Sequence, residues 1–214
     1  MRRAAAAVIG AAVIGLGWAG PARAISIGLH EASEGLSGLG YSISGTTIDL
    51  FGSVGSLGTG FIEFTGLGGL RTYTINLHLT NDSGADWAGF GFNLFDASGG
   101  LDDLLEGQPP AWVPAGYAPS DLDDLFFVGS GNSDAFGEVS DGGWLSSHDS
   151  LAFYDGLLSD GETATFSFGL ANIFGSSFLL GTKPTAQVPE PSTLALLGLG
   201  AAASAFALRR VRRS

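Results

Sequence analysis

Apolar and polar residues alternate in short runs through the centre of the chain, and glycine or Asx-rich turns separate the runs. The clearest run is 71–80, RTYTINLHLT. Tyr73, Ile75, Leu77 and Leu79 share one face, and Thr72, Thr74, Asn76, His78 and Thr80 share the other. That period of two belongs to a strand buried on one side. Residues 41–51 (YSISGTTIDLF) alternate in the same way and are rich in β-branched side chains. Residues 59–65 (TGFIEFT) set Phe61 and Glu63 on one face and Ile62 and Phe64 on the other. Residues 87–95 (WAGFGFNLF) place Phe90, Phe92 and Leu94 together, after a turn at Asn81-Asp82-Ser83-Gly84. This spacing predicts an antiparallel hairpin of 71–80 with 87–95. Gly89 and Gly91 mark a bulge in it, or room for a neighbouring ring. Runs at 125–128, 150–154, 162–170 and 177–181 bring the expectation to eight to ten strands. Residues 101–106 suggest one helical turn, stopped by Gly107, Pro109 and Pro110. The expected fold is all-β, an antiparallel, jelly-roll-like β-sandwich.

Both ends of the chain break this pattern. Arg2 and Arg3 precede an apolar, small-residue stretch over 4–19, and Ala22-Arg23-Ala24 fits an A-x-A cleavage site. Residues 1–24 are therefore expected to be a secretory signal peptide, with Ala22 and Ala24 at the cut. At the other end Val188-Pro189-Glu190-Pro191 leads into an apolar run over 194–208, and Arg209, Arg210, Arg212 and Arg213 follow it. Pro189 and Pro191 fix two φ angles and bias their predecessors toward extended backbone. The apolar run would form a helix of about 22 Å. That is short for a hydrocarbon core of about 30 Å, but snorkelling arginines and a thin bilayer let it span as a single transmembrane helix. The four arginines act as a stop-transfer cluster and place the C-terminus in the cytoplasm. Three segments result: a signal peptide at 1–24, a secreted domain at 25–187 and a sorting tail at 188–214.

The order of Pro-Glu-Pro, apolar run and arginines resembles the PEP-CTERM sorting signal of Gram-negative bacterial surface proteins. The resemblance implies that an exosortase, a membrane enzyme, recognises and processes Val188, Pro189, Glu190 and Pro191. It implies a transient anchor in the inner membrane at 194–208. It also implies an association with exopolysaccharide, and so a structural or adhesive role in the cell envelope, cell surface or extracellular matrix. Signal peptidase and the secretion machinery are the other expected partners. Residues 81–90 are similar to an N-x-S-G-x-x-W-x-G-F-like hairpin common in the bodies of such proteins, a resemblance that implies a sandwich and no defined activity.

Charge sharpens the picture of the body. Residues 25–187 hold 20 acidic residues against two basic ones, Arg71 and Lys183, a net −18 where the whole chain carries −12. Such a surface repels phosphate backbones, which excludes nucleic acid as a partner. The chain has no cysteine, so disulfides and thiolate metal sites are excluded. Glycine supplies 35 of the 214 residues, and aromatic and β-branched residues remain plentiful between them. That combination indicates many tight turns rather than a disordered linker.

Candidate chemistry is sparse, and no enzyme is expected. Ser147-His148-Asp149 are sequence neighbours, whereas a catalytic triad is assembled from side chains converging in space. The G-x-S-x-G, P-loop, H-E-x-x-H and dinucleotide patterns are missing. His78 stands on the polar face of its strand, where a sheet-packing role outweighs metal ligation. Calcium is the one cofactor the loops suggest, through Asn132, Asp134 and Glu138, through Asp121, Asp123 and Asp124, or through Asp96, Asp102 and Asp103. None of these has EF-hand spacing, and solvated loop acids are the leading alternative. Trp87, Trp112, Trp144 and Tyr117 form a sugar-stacking platform if exposed, and core if buried. A glycan- or calcium-binding module is thus the first alternative function. Asn81-Asp82-Ser83 fits a glycosylation sequon, but a turn accounts for it equally well.

Overall fold

The computed structural model describes residues 24–97, 113–119, 125–141, 149–172 and 177–187. These residues form twelve strands in two sheets, without a helix. The strands in chain order are β1 (Ser26–Leu29), β2 (Leu36–Ser44), β3 (Thr47–Val54), β4 (Gly60–Thr65), β5 (Arg71–Asn81) and β6 (Trp87–Ala97). They continue as β7 (Tyr117–Pro119), β8 (Leu125–Ser133), β9 (Phe136–Asp141), β10 (Ser150–Gly156), β11 (Thr163–Asn172) and β12 (Phe178–Ala186). One sheet has the order β1-β4-β12-β6-β10-β9, with β7 added to β6. The other has the order β2-β3-β5-β11-β8.

Alternation within each strand decides which face is buried. In β5, Tyr73, Ile75, Leu77, Leu79 and Asn81 are buried, and the residues between them are exposed or half-buried. In β11, Ala164, Phe166, Phe168 and Leu170 do the same. These inner faces meet Phe64, Phe90, Phe92, Phe153 and Phe178 of the first sheet in one core. Rings touch across the layers: Phe90 lies 4.8 Å from Phe166, Phe92 lies 5.0 Å from Phe168, and Phe153 lies 5.1 Å from Phe166, between centroids. Offset and edge-on arrangements of this kind stabilise the core beyond area burial alone.

The described residues already hold twelve strands where eight to ten were expected, and three further expectations change. First, one pairing departs from an all-antiparallel sandwich: β3 and β5 run parallel, with Ile48 opposite Ile75 and Leu50 opposite Leu77. The β4 strand intervenes between them in sequence and belongs to the other sheet, which lets the chain re-enter in the same direction. Second, residues 41–51 are not a single strand. They belong to two strands joined at Gly45 and Thr46, with Ser44 opposite Thr47. Gly45 has φ 64°, the left-handed conformation that the first central position of a two-residue hairpin loop demands. Third, 71–80 and 87–95 do not pair. The β5 strand lies between β3 and β11, and β6 lies in the opposite sheet between β12 and β10. Their connection therefore crosses from one layer to the other.

A bulge lies beside Gly89, but against β12 rather than in the expected hairpin: Ala88 is an extra residue between the pairs Ala186–Trp87 and Thr185–Gly89. A side chain on Gly89 would press on the Phe153 carbonyl, at 2.9 Å. The glycine that makes room for a ring is Gly181, whose added Cβ would stand 2.7 Å from Phe95. The expected helical turn at 101–106 lies outside the described residues.

Candidate functional site: the junction between body and tail

The last strand, β12, is an interior strand of its sheet, held between β4 and β6. Its pairing with β4 runs only from Phe178 to Thr182, whereas its pairing with β6 continues to Ala186. Pro184 lies beyond the end of β4, so its missing N–H costs no bond on that side. At the end of the described residues the Gln187 amide donates to the Asp86 carbonyl at 2.9 Å. The next residues in sequence are Val188 and Pro189.

That bond rests on the connection between β5 and β6. Asn81 is fully buried at the end of β5. Its side-chain amide donates to the Ala85 carbonyl at 2.8 Å and the Leu158 carbonyl at 3.1 Å. Its oxygen accepts from the Ser83 amide at 3.1 Å and lies 2.7 Å from the Ser83 hydroxyl. Trp87 Nε1 donates to the same hydroxyl at 2.9 Å. The Trp87 backbone exchanges two bonds with Leu158, at 2.9 and 3.0 Å. Asp160 accepts from the Gly84 amide through its carboxylate, and its own amide donates to Asp86. The connection is thus a clasp: a buried asparagine and a buried indole satisfy one another's neighbours, and the chain exit hangs from its rim. The turn explains Asn81-Asp82-Ser83, because a buried, fully bonded Asn81 leaves no amide for a glycan.

The sequence-predicted residues fall at separate places. Val188, Pro189, Glu190, Pro191, Arg209, Arg210, Arg212, Arg213 and Ala22 lie outside the described residues, as does the apolar run 194–208. Ala24 is exposed directly before β1, and its carbonyl lies 2.5 Å from where a Cβ on Gly66 would stand. Ile25 packs on the core.

The calcium candidates are described only in part. Asn132 is exposed on β8, opposite Ser167, and Glu138 is exposed on β9, opposite Tyr154. Asp134 accepts from the Thr165 amide at 2.7 Å, so its carboxylate extends the sheet. Among the described residues, no three His, Cys, Asp or Glu side chains stand close enough to hold a metal ion. Asp102, Asp103, Asp121, Asp123 and Asp124 lie outside the described residues.

The aromatic platform does not form around Trp87, which is core with no exposed surface. Trp112 and Trp144 lie outside the described residues, with Ser147 and His148. His78 packs on the sheet surface, stacked on Phe51 at 4.8 Å with Nδ1 3.1 Å from Thr165 Oγ1.

Sequence reasoning missed one polar contact. On the outer face of the first sheet, Phe61, Phe95 and Leu179 form a small second core against Val113 and Tyr117. There the Tyr117 hydroxyl donates to Glu63 at 3.0 Å, and the His30 ring meets Tyr117 edge-on at 5.6 Å. Desolvation, then the bond to Glu63 and its charge, push the Tyr117 phenol up to about 12. Alternation placed Glu63 beside Phe61 on one face, but nothing local pointed to a tyrosine 54 residues away.

Residues 187–213 match the family model of the PEP-CTERM protein-sorting motif. No curated protein and no solved structure matches the chain. The match begins at Gln187, whose amide bonds to Asp86 at the rim of the clasp. The chain therefore carries a PEP-CTERM protein-sorting motif directly after its β-rich body, which implies export, a membrane-anchored sorting signal and processing by an exosortase-type enzyme.

Proposed function

We propose that this chain is the precursor of a secreted surface protein. Residues 1–24 direct export, 25–187 form the delivered β-sandwich, and 188–214 hold it in the inner membrane until an exosortase-type enzyme acts at Val188 to Pro191. Arg209, Arg210, Arg212 and Arg213 stop transfer and stay in the cytoplasm. The mature body serves a structural or adhesive role in an exopolysaccharide-associated envelope or matrix, and is not catalytic.

The observation that carries this reading is the sorting motif at 187–213, which follows directly on β12, an interior strand of the body. Only six residues, 188–193, separate the anchored body from the apolar run. Fully extended, they reach about 20 Å. The processing site is thereby confined to a short strap between body and bilayer, which suits a membrane-embedded enzyme. A body of net −18 is repelled by anionic headgroups, which favours departure once the strap is cut. The alternative of a glycan- or calcium-binding module has less support, since Trp87 is buried and Asp134 is engaged by Thr165.

The test is replacement of Pro189, Glu190 and Pro191 by alanine in the native host. The variant should accumulate as a membrane-bound precursor that retains 194–214, while the unaltered protein ends near Val188 to Pro191 by intact mass and terminal sequencing. Normal release of the variant would refute the sorting role of these residues.

A further inference from the structure

The outer strand β2 has the properties of an assembly edge. Among the described residues, β1 and β9 end one sheet, where the three-residue β7 adds a short edge beside β6, and β2 and β8 end the other. Natural sheets protect such edges with charge, proline, bulges or brevity. The β1 strand has four residues, β9 carries Glu138, and β8 is interrupted near Gly129 (φ 72°), where its register with β11 shifts. The β2 strand has a register shift only in its first half, between Ser37 and Gly40. From Gly40 to Ser44 its pairing is regular, and it carries neither charge nor proline.

The side chains there are also unusual. Tyr41 and Ile43 stand opposite Leu50 and Ile48, which are fully buried, so they point to the core side of the sheet. Yet they are 43% and 37% exposed. The apolar inner face simply continues past the end of its cover. This patch lies in residues 35–48, a stretch without a charged residue in a body of net −18.

We infer that β2 pairs antiparallel with β2 of a second copy of this chain, joining the two five-stranded sheets into one across a two-fold axis at Ser42. The register is fixed by the hairpin. A two-residue loop is closed by a hydrogen-bonded pair, here Ser44 and Thr47. Alternation then turns the backbone N–H and C=O of Tyr41 and Ile43 away from β3, toward the open edge. Centred on Ser42, Tyr41 of one copy faces Ile43 of the other, and the reverse. Each such pair exchanges two backbone bonds and sets an aromatic ring against a β-branched side chain, a favourable cross-strand combination.

Charge selects the partner. The nearest carboxylates, the two Asp49 side chains, lie on the opposite, outer face beside Ser42, on backbones three strand spacings apart, about 14 Å. That exceeds the screening length of about 8 Å at physiological ionic strength. A stretch without charge is where two copies of a body of net −18 meet with least repulsion. The inference deepens the assembly role proposed above and rests on it for its setting, but its geometry does not involve the tail.

The test exploits the missing cysteines, using the full chain purified in detergent. In Ser42→Cys, the two thiols meet at a non-hydrogen-bonded pair with Cα atoms about 4.5 Å apart, within disulfide reach. In Ser44→Cys, the same two-fold separates them by about 14 Å, out of reach. On mild oxidation, Ser42→Cys should give covalent dimer at least about tenfold faster than Ser44→Cys, since only its geometry permits the bridge. Adding Ile43→Lys to Ser42→Cys should suppress the dimer. Both positions are exposed, and a thermal melt checks that each variant is folded. Equal rates for the two cysteines, absence of dimer, or persistence with Ile43→Lys each overturns the inference. Association through the tail would give equal rates, so such a result would leave the sorting reading intact.

Discussion

Tyr117 owes its raised pKa to two neighbours of different kind. Partial burial beside Phe61 and Leu179 disfavours the phenolate, and the carboxylate of Glu63 both accepts its proton and repels its anion. The consequence for stability has a definite sign. Below pH 10 the phenol is protonated in folded and unfolded chains alike. Between pH 10 and about 12 the unfolded chain releases that proton and the folded chain keeps it. The folded state then binds more protons, so stability falls as pH rises through this window. Tyr117→Phe should remove this component and leave a shallower decline of Tm between pH 10 and 12. An unchanged slope would show that Tyr117 is not responsible. At this scale the sequence was half legible. The period of two put Glu63 and Phe61 on one face, but a contact made by Tyr117, in a three-residue strand far along the chain, has no local signature.

At the scale of elements, the period of two found most of the strands, because burial on one face leaves its mark residue by residue. It could not find their partners. Two amphipathic strands joined by a short polar turn have the same pattern whether they lie side by side or in opposite layers. Here β5 and β6 take the second arrangement, and the clue was Asn81 itself. It occupies the inward phase of β5, after Leu79, where a hairpin turn would have placed it at the rim. A buried asparagine with two carbonyls to satisfy marks a chain crossing the core's end. Its replacement is correspondingly costly. Asn81→Ala leaves the Ala85 and Leu158 carbonyls without their side-chain donor and should destabilise by about 1–3 kcal/mol. Trp87→Ala adds an unfilled cavity and should cost about 3–5 kcal/mol. Urea unfolding measures both. A loss below half a kcal/mol for either would mean that the clasp is not structural. The same logic explains the misread stretch 41–51: alternation passes through Gly45 without a break, and only its left-handed backbone reveals the turn.

For the whole molecule, the decisive fact is that the strand next to the sorting motif is interior. The motif itself was legible at once, because proline, glutamate, an apolar run and arginines act through local chemistry. The dependence of the body on its last strand was not, because it arises from pairings across the chain: Leu180 with Ile62 on one side and with Leu94 on the other. Phe178, Leu179 and Leu180 are buried, and Phe178 stacks on Phe64 at 4.7 Å. Without β12 the first sheet would be split, with two unpaired edges facing each other and the core opened between them. The body therefore completes its fold only after residue 186 has emerged, when the apolar run of the tail follows within eight residues. A chain ending before Phe178 should accordingly fail to fold, being cleaved rapidly by protease and aggregating, whereas a chain ending after Gln187 should resist protease like the mature body. Limited proteolysis of the two exported products makes the comparison. Equal resistance would show that β12 is dispensable and that the body folds independently of the residues that lead into its sorting signal.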